Sequence, residues 1–371
     1  MNKKKVKTYN IKTKIEELHM NDINEKKNGI PEKRKVSGLS YVYTDNGIEL
    51  PVLDITHPLF TESIDEEGLE DLCKESAQKA KGFKDMPEAQ KKFIYEKSYI
   101  FGRTFHKDPN ATYLSGMSTF MLKLGPHLIG EGEERNIDRL LSMGVSSIAA
   151  RMRLRDICRL QADALIPQLM EYPQKELCFI NIAGGAASDT INTLILILKE
   201  NQSLLKNRKI EINLFDIDTD SPHFAQRSIE ALKAPGCHFH GLDISFNHIE
   251  YNWADTRELI NMLAKKRDCI MTCTSEGGIL EYGSDKEIIN NLNSLYDNSP
   301  GDMQMTATVI HDIDTVDPTI PAMAEESRSS LRFLGTEGLK RILKKTKWKL
   351  DRIKDKNPIY VIFTLKKDKM E

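Results

Sequence analysis

The chain has 371 residues, of which 40% are hydrophobic and 29% charged, with a net charge of −2. That is the balance of a folded, soluble protein, and the length suggests two domains or one with a large extension. No apolar run reaches the ~18 residues needed to cross a bilayer, so no membrane partner is expected.

The start, MNKKKVKTYNIK, is basic with no apolar stretch behind it. A secretory signal is therefore not expected, and a cytoplasmic location is. Six cysteines (Cys73, Cys158, Cys178, Cys237, Cys269, Cys273) form no CxxC pair. They read as free thiols, with no metal site expected. Charge is uneven: residues 1–35 hold eleven Lys or Arg against five acids, and residues 340–371 hold twelve against four, which leaves the middle at −16. A phosphate-tracking protein more often carries its positive charge on the body, so nucleic acid is not the expected partner.

In chain order, residues 1–35 are rich in Lys and Asn and read as a flexible basic arm. Residues 36–150 follow as a mainly helical cap. It opens with two strand-like runs around Asp45-Asn46-Gly47, a hairpin signal. Its segment YLSGMSTFMLKLGPHLI suits ordinary packing or an apolar substrate wall, with Tyr113 and His127 as candidate lining residues. The run Ser146 to Leu169 predicts a long helix, bent or closed by Pro167.

From Leu177, strand and helix alternate, and the strand runs are apolar on both faces. The strand candidates are LCFINIA, EINLFDID, CHFHGLDI, DCIMTCTS and QMTATVI. Such alternation predicts a parallel sheet covered by helices. After the helix EGLKRILKKTK come two strand runs joined by Lys354 to Pro358, which break the alternation. The expected fold is α/β: a Rossmann-like, doubly wound, mostly parallel seven-stranded sheet with an antiparallel last strand, preceded by the helical cap. The core is expected to span 151–371.

Strand one runs into Asn181-Ile182-Ala183-Gly184-Gly185-Ala186-Ala187-Ser188-Asp189, where small residues let the backbone approach a ligand at a helix N-terminus. Strand two ends in Asp216-Ile217-Asp218, and a carboxylate there can take both hydroxyls of a ribose. Together with the terminal hairpin, FINIAGGAASD resembles the glycine-rich first motif of class I S-adenosylmethionine-dependent methyltransferases. FDID resembles the ribose-binding acid of that family. HFHGLDI is similar to its third-strand segment, which would place Asp243 and Ile244 at the adenine. DCIMTCTSEGGILEYGS resembles the fourth-strand motif, with Thr274 and Ser275 beside the cofactor. The resemblance covers roughly residues 150–367 and implies S-adenosylmethionine as cofactor. Ala183, Gly184, Gly185, Ala187, Asp216 and Ile217 would belong to its binding set. The sequence departs from the family at Asn181, where an acid is usual, and at Ala183 and Ala187, where glycines are usual.

AARMRLRD resembles the arginine-bearing helix that precedes the first motif in leucine-carboxyl and polyketide O-methyltransferases. That resemblance implies Arg151 or Arg153 as the anchor of the methionine carboxylate. Arg151, Arg155 and Arg159 share one helical face, which reads first as a solvated basic stripe.

Glu276 and Tyr282 follow strand four, at the edge where open α/β sheets bind ligands, and stand as acceptor-side residues. Glu276 and His311 are the candidate bases, needed for a hydroxyl acceptor and hardly for a carboxylate or amine. The function expected is methyl transfer to a small-molecule hydroxyl, carboxyl or amine, with homodimerisation open. The alternatives are an RNA or protein methyltransferase, a nucleotide-dependent oxidoreductase, and a non-catalytic protein on the same fold.

Overall fold

The computed structural model describes residues 35–45, 47–60, 64–98, 112–129, 136–326 and 329–368. The basic arm, apart from Lys35, lies outside them. The first element is a short antiparallel hairpin, β1 (Tyr41–Tyr43) and β2 (Glu49–Pro51), closed as expected at Gly47. Helices α1 (Glu66–Lys84), α2 (Glu88–Lys97), α3 (Gly116–Leu122) and α4 (Asn136–Ser142) follow. Next is α5 (Val145–Glu171), 27 residues long with Pro167 inside it. The boundary expected at 150 falls within this helix.

The sheet segment contains β3 (Leu177–Ile182), α6 (Ser188–Asn201), β4 (Lys209–Asp216), α7 (Asp220–Leu232) and β5 (Asp243–Glu250). It continues through α8 (Arg257–Ala264), β6 (Ile270–Ser275), the short α9 (Ile279–Tyr282), α10 (Asp285–Asn298) and β7 (Gln304–Ile310). The chain ends in α11 (Thr319–Glu326), α12 (Gly335–Leu343), β8 (Lys349–Lys354) and β9 (Tyr360–Lys366). The seven strands lie in the order β5-β4-β3-β6-β7-β9-β8. β3 to β7 are parallel, and β9 runs antiparallel between β7 and β8.

Two-residue periodicity divides the central strands between two cores. Leu177 and Phe179 face a layer holding Leu154 and Ile157 of α5, Leu194 of α6 and Phe224 of α7. Cys178, Ile180 and Ile182 face Leu259 of α8, Leu292 of α10 and Leu339 of α12. Leu50, Val52 and Leu53 beside the hairpin and Phe120 of α3 join the first layer, so cap and sheet share one continuous core. Held between them, the first half of α5 is buried nearly all round. Past its midpoint the buried Gln161 is paired: it donates to Thr272 (3.2 Å) and accepts from Thr193 (2.7 Å). Arg151 is likewise buried and donates to the Leu124 carbonyl, so the solvated stripe expected at 151, 155 and 159 does not begin until Arg155.

One strand departs from expectation. In the run CHFHGLDI, the residues CHFHGL are instead a turn that closes α7, with Phe239 N–H donating to the Leu232 carbonyl at 2.8 Å. The strand itself is DISFNHIE, which Asp243 opens opposite Lys209. Seven residues at ~3.3 Å then separate Asp243 from the carboxyl edge by about 23 Å. Asp243 and Ile244 are therefore at the wrong edge for the adenine, and Glu250 to Trp253 take the position expected of them. Among the described residues, no helix is long and apolar enough to cross a membrane.

Candidate functional site

At the carboxyl edge of the parallel strands lies a cavity of about 1120 Å³, including its open mouth. Its floor is the turn after β3. Ala183, Gly185 and Ala187 all take left-handed backbone angles, with φ of 54°, 55° and 50°. Both alanines thus adopt the backbone a glycine would, at a cost of roughly 1–2 kcal/mol each for an L-residue. The neighbouring loop is built around that choice. A Cβ on Gly278 would lie 2.3 Å from the Ala183 methyl, so the loop after β6 has a glycine where this turn has a side chain.

Asp216 ties the turn to the end of β4. One carboxylate oxygen accepts from Gly185 N–H (2.8 Å) and the other from Asp218 N–H (2.9 Å). Burial raises its pKa, against the opposing pull of those two N–H groups. Ile217 and Asp218 line the cavity beside it, and Tyr251, Asn252 and Trp253 extend the wall from the end of β5.

The cap closes directly on the floor. A Cβ on Gly116 would fall 2.6 Å from Gly185 Cα and 2.3 Å from the Ser221 hydroxyl. The start of α3 therefore touches the turn backbone to backbone, a contact only a pair of glycines allows. Tyr113 stands at the mouth, 44% exposed, edge-on to the half-buried Tyr282 ring at 6.3 Å. The Tyr282 hydroxyl accepts from Leu114 N–H at 3.4 Å.

Four buried charges complete the wall. Lys123, at the end of α3, bonds Glu276 Oε2 at 2.6 Å. Arg153 of α5 reaches Glu276 Oε1 at 3.2 Å and Glu281 Oε1 at 3.1 Å, with its guanidinium 4.0 Å over the Tyr360 ring. Burial works against the Arg153 charge, but Tyr360 and the two carboxylates outweigh it and hold its pKa above the usual value. Burial raises Glu281, with Arg153 opposing, and pushes Tyr360 up to about 12. A buried ion cluster of this kind persists because every charge has a partner.

The structure thus gathers Ala183, Gly184, Gly185, Asp216, Ile217, Tyr113, Glu276 and Tyr282 around one cavity. Other candidates fall outside that lining. Arg151 points to Leu124, whereas Arg153, two residues on and across the helix, faces the cavity. Ala187 is buried as the N-cap of α6, and the Ser275 hydroxyl is spent on the Gly277 carbonyl at 3.0 Å. Thr274 is buried behind the wall. His311 contacts the Asn357 carbonyl at 2.9 Å, and His127 is exposed on the cap, so neither reaches the cavity. Lys123, Glu281, Tyr360 and Trp253 are the additions. A lysine inside the apolar run MLKLG was the one signal for Lys123.

The strand order, the turn after β3 and the carboxylate closing β4 define a class I methyltransferase-like fold. No family model and no curated protein matches the chain. Among solved structures, it is similar to a possible exported protein from Bordetella parapertussis, with 15% identity and a TM-score of 0.51. The match covers 81% of this chain and 95% of that one. It is also similar to a DUF574 family protein from Streptomyces avermitilis, with 11% identity, 68% and 97% coverage and a TM-score of 0.45. An O-methyltransferase family protein from Burkholderia thailandensis matches with 12% identity, 64% and 63% coverage and a TM-score of 0.39.

Proposed function

We propose that the protein transfers a methyl group from S-adenosylmethionine to a small-molecule acceptor. The observation that carries this reading is the charge of the cavity wall, where Asp216, Asp218, Glu276 and Glu281 outnumber Lys123 and Arg153. Such a wall attracts a sulfonium cation and repels the diphosphate of a nicotinamide dinucleotide. The two buried cations and their carboxylates also match a zwitterionic amino-acid end, which can enter without leaving a charge unpaired.

When bound, the cofactor supplies an electrophilic methyl group. Asp216 keeps lone pairs free for two ribose hydroxyls after accepting from Gly185 and Asp218. Tyr251 to Trp253 would flank the adenine, and Arg153 would hold the methionine carboxylate. The remaining work of the chain is to orient the acceptor and exclude water, which is most of what an in-line displacement needs. The cap does this through α3, seated on the turn. For a hydroxyl acceptor, Glu276 is the carboxylate at the strand end, and it would act only once released from Lys123.

Calorimetry with S-adenosylmethionine, S-adenosylhomocysteine and NAD tests the reading, followed by a methyl-transfer screen over small-molecule pools. Micromolar binding of the two sulfur ligands is expected, about −8 kcal/mol. Binding of NAD without S-adenosylmethionine would overturn it.

A further inference from the structure

Beneath the cavity floor lies a polar pair that the fold does not require. Asn181 and Asp189 are both fully buried. The Asn181 side chain occupies the space where Gly184 lacks a Cβ. Its amide oxygen is 1.9 Å from that empty position and its amide nitrogen 2.5 Å. The nitrogen donates to Asp189 Oδ1 at 2.7 Å and to the Thr190 hydroxyl at 3.1 Å. From the cavity inward, the order is Gly184, the Asn181 amide, then the Asp189 carboxylate. Asn181 Oδ1 has no hydrogen-bond partner, and the buried Thr274 hydroxyl is the group that faces the Asp189 carboxylate from β6.

A buried carboxylate beside an unpaired amide oxygen is costly, and a fold-only role would be served better by apolar side chains. We propose that Asp189 supplies the negative charge for the cationic end of the cofactor and orients the Asn181 amide so that its oxygen faces the floor. This rests on the cofactor reading above. Asparagine offers a carbonyl dipole but no charge, and Asp189 adds the charge one hydrogen bond behind it. Asp189 is a positioning residue, since Gly184 and Asn181 stand between it and the cavity.

The surroundings agree. Burial and the Glu276 charge push the Asp189 pKa up to about 6, with Lys123, the Thr190 N–H and the Thr274 hydroxyl opposing. Cys158, whose thiol donates to the Asp189 carbonyl, and Cys273 are the other titratable groups facing it. A carboxyl in that position is ionised at neutral pH only at a cost, and a bound cation favours its ionised form.

The test is calorimetric binding of S-adenosylmethionine and S-adenosylhomocysteine to the full chain, with melting temperature as the control for folding. Asp189→Asn should raise both dissociation constants tenfold or more. The exchange Asn181→Asp with Asp189→Asn keeps one acid and one amide in the same space and should return affinity to within about threefold of wild type. It also serves if the single variant does not fold. A wild-type protein that binds neither ligand would end the cofactor reading itself. Wild-type binding with unchanged affinity in Asp189→Asn would overturn the role of Asp189 alone. So would a folded exchange variant that binds tenfold or more weakly than wild type, because that is the mark of a structural role.

Discussion

Asp189 also makes a prediction about stability that needs no ligand. In the unfolded chain its carboxyl has the ordinary value of 3.8, whereas in the folded protein it is raised to about 6, first by burial and then by Glu276. Between those two values the folded state binds more protons than the unfolded state, so stability falls as pH rises through that window. Above pH 6 the whole cost persists, about 3 kcal/mol for a displacement of that size. An asparagine of the same shape carries no such cost. The stability difference between Asp189→Asn and wild type should therefore grow from near zero at pH 4 to about 3 kcal/mol in favour of the variant at pH 7. Urea unfolding at pH 4, 5, 6 and 7 measures it, provided the slopes with denaturant agree. Asp216 and Glu281 also titrate with raised pKa values. Both are common to the two proteins and cancel in the difference. A difference that stays flat across pH, or a variant less stable at pH 7 than at pH 4 relative to wild type, would refute the reasoning. A carboxylate that destabilises the empty protein and tightens its ligand is the trade expected of a functional group.

Lys123→Met removes one partner of a buried ion pair and should cost about 3 kcal/mol, read by urea unfolding, with Arg153 left on Glu276 as its one cation among the described residues. Gly116→Ala would drive a methyl into Gly185 and the Ser221 hydroxyl, so limited proteolysis should cut the cap faster than in wild type. An unchanged cleavage rate would show that the contact has slack. Asp216→Ala should weaken S-adenosylmethionine binding roughly tenfold to a hundredfold, with a smaller effect from Asp218→Ala. Equal effects would show that the wrong acid has been assigned to the ribose. Tyr113→Ala should raise the acceptor KM while the cofactor Kd stays constant, and a shift in the cofactor Kd instead would move Tyr113 to the other half of the site.

The central strands were readable because they are buried on both faces, and mostly apolar runs such as CFINI and IMTC mark that state without tertiary knowledge. β5 was misplaced for the converse reason. It is an edge strand, only partly buried, so its residues mix polar and apolar and DISFNHIE lacks a continuous apolar run. The apolar neighbour HFHGL, with Phe239 fully buried, carried the stronger hydrophobic signal although it forms a turn. Asp216 was legible from its place at a strand end. The ion cluster was not, because Lys123 and Glu276 are 153 residues apart and meet only when the cap docks. Gly185 shows a third kind of gap. A side chain there would enter the cap at Gly116, not the ligand space that a glycine-rich turn suggests.

The position of β9 has a consequence for how the molecule is made. Tyr360 to Lys366 pair with β7 on one side and with β8 on the other, so a segment synthesised after all the other strands is interior to the sheet. Until Lys366 has left the ribosome, β7 presents an open row of peptide groups flanked by Met305, Ala307 and Val309, all buried in the finished protein. A nascent chain in that state has a sticky, unpaired flank, the kind of surface that recruits chaperones or other nascent chains. Completion is then abrupt, since one seven-residue strand satisfies two neighbours at once.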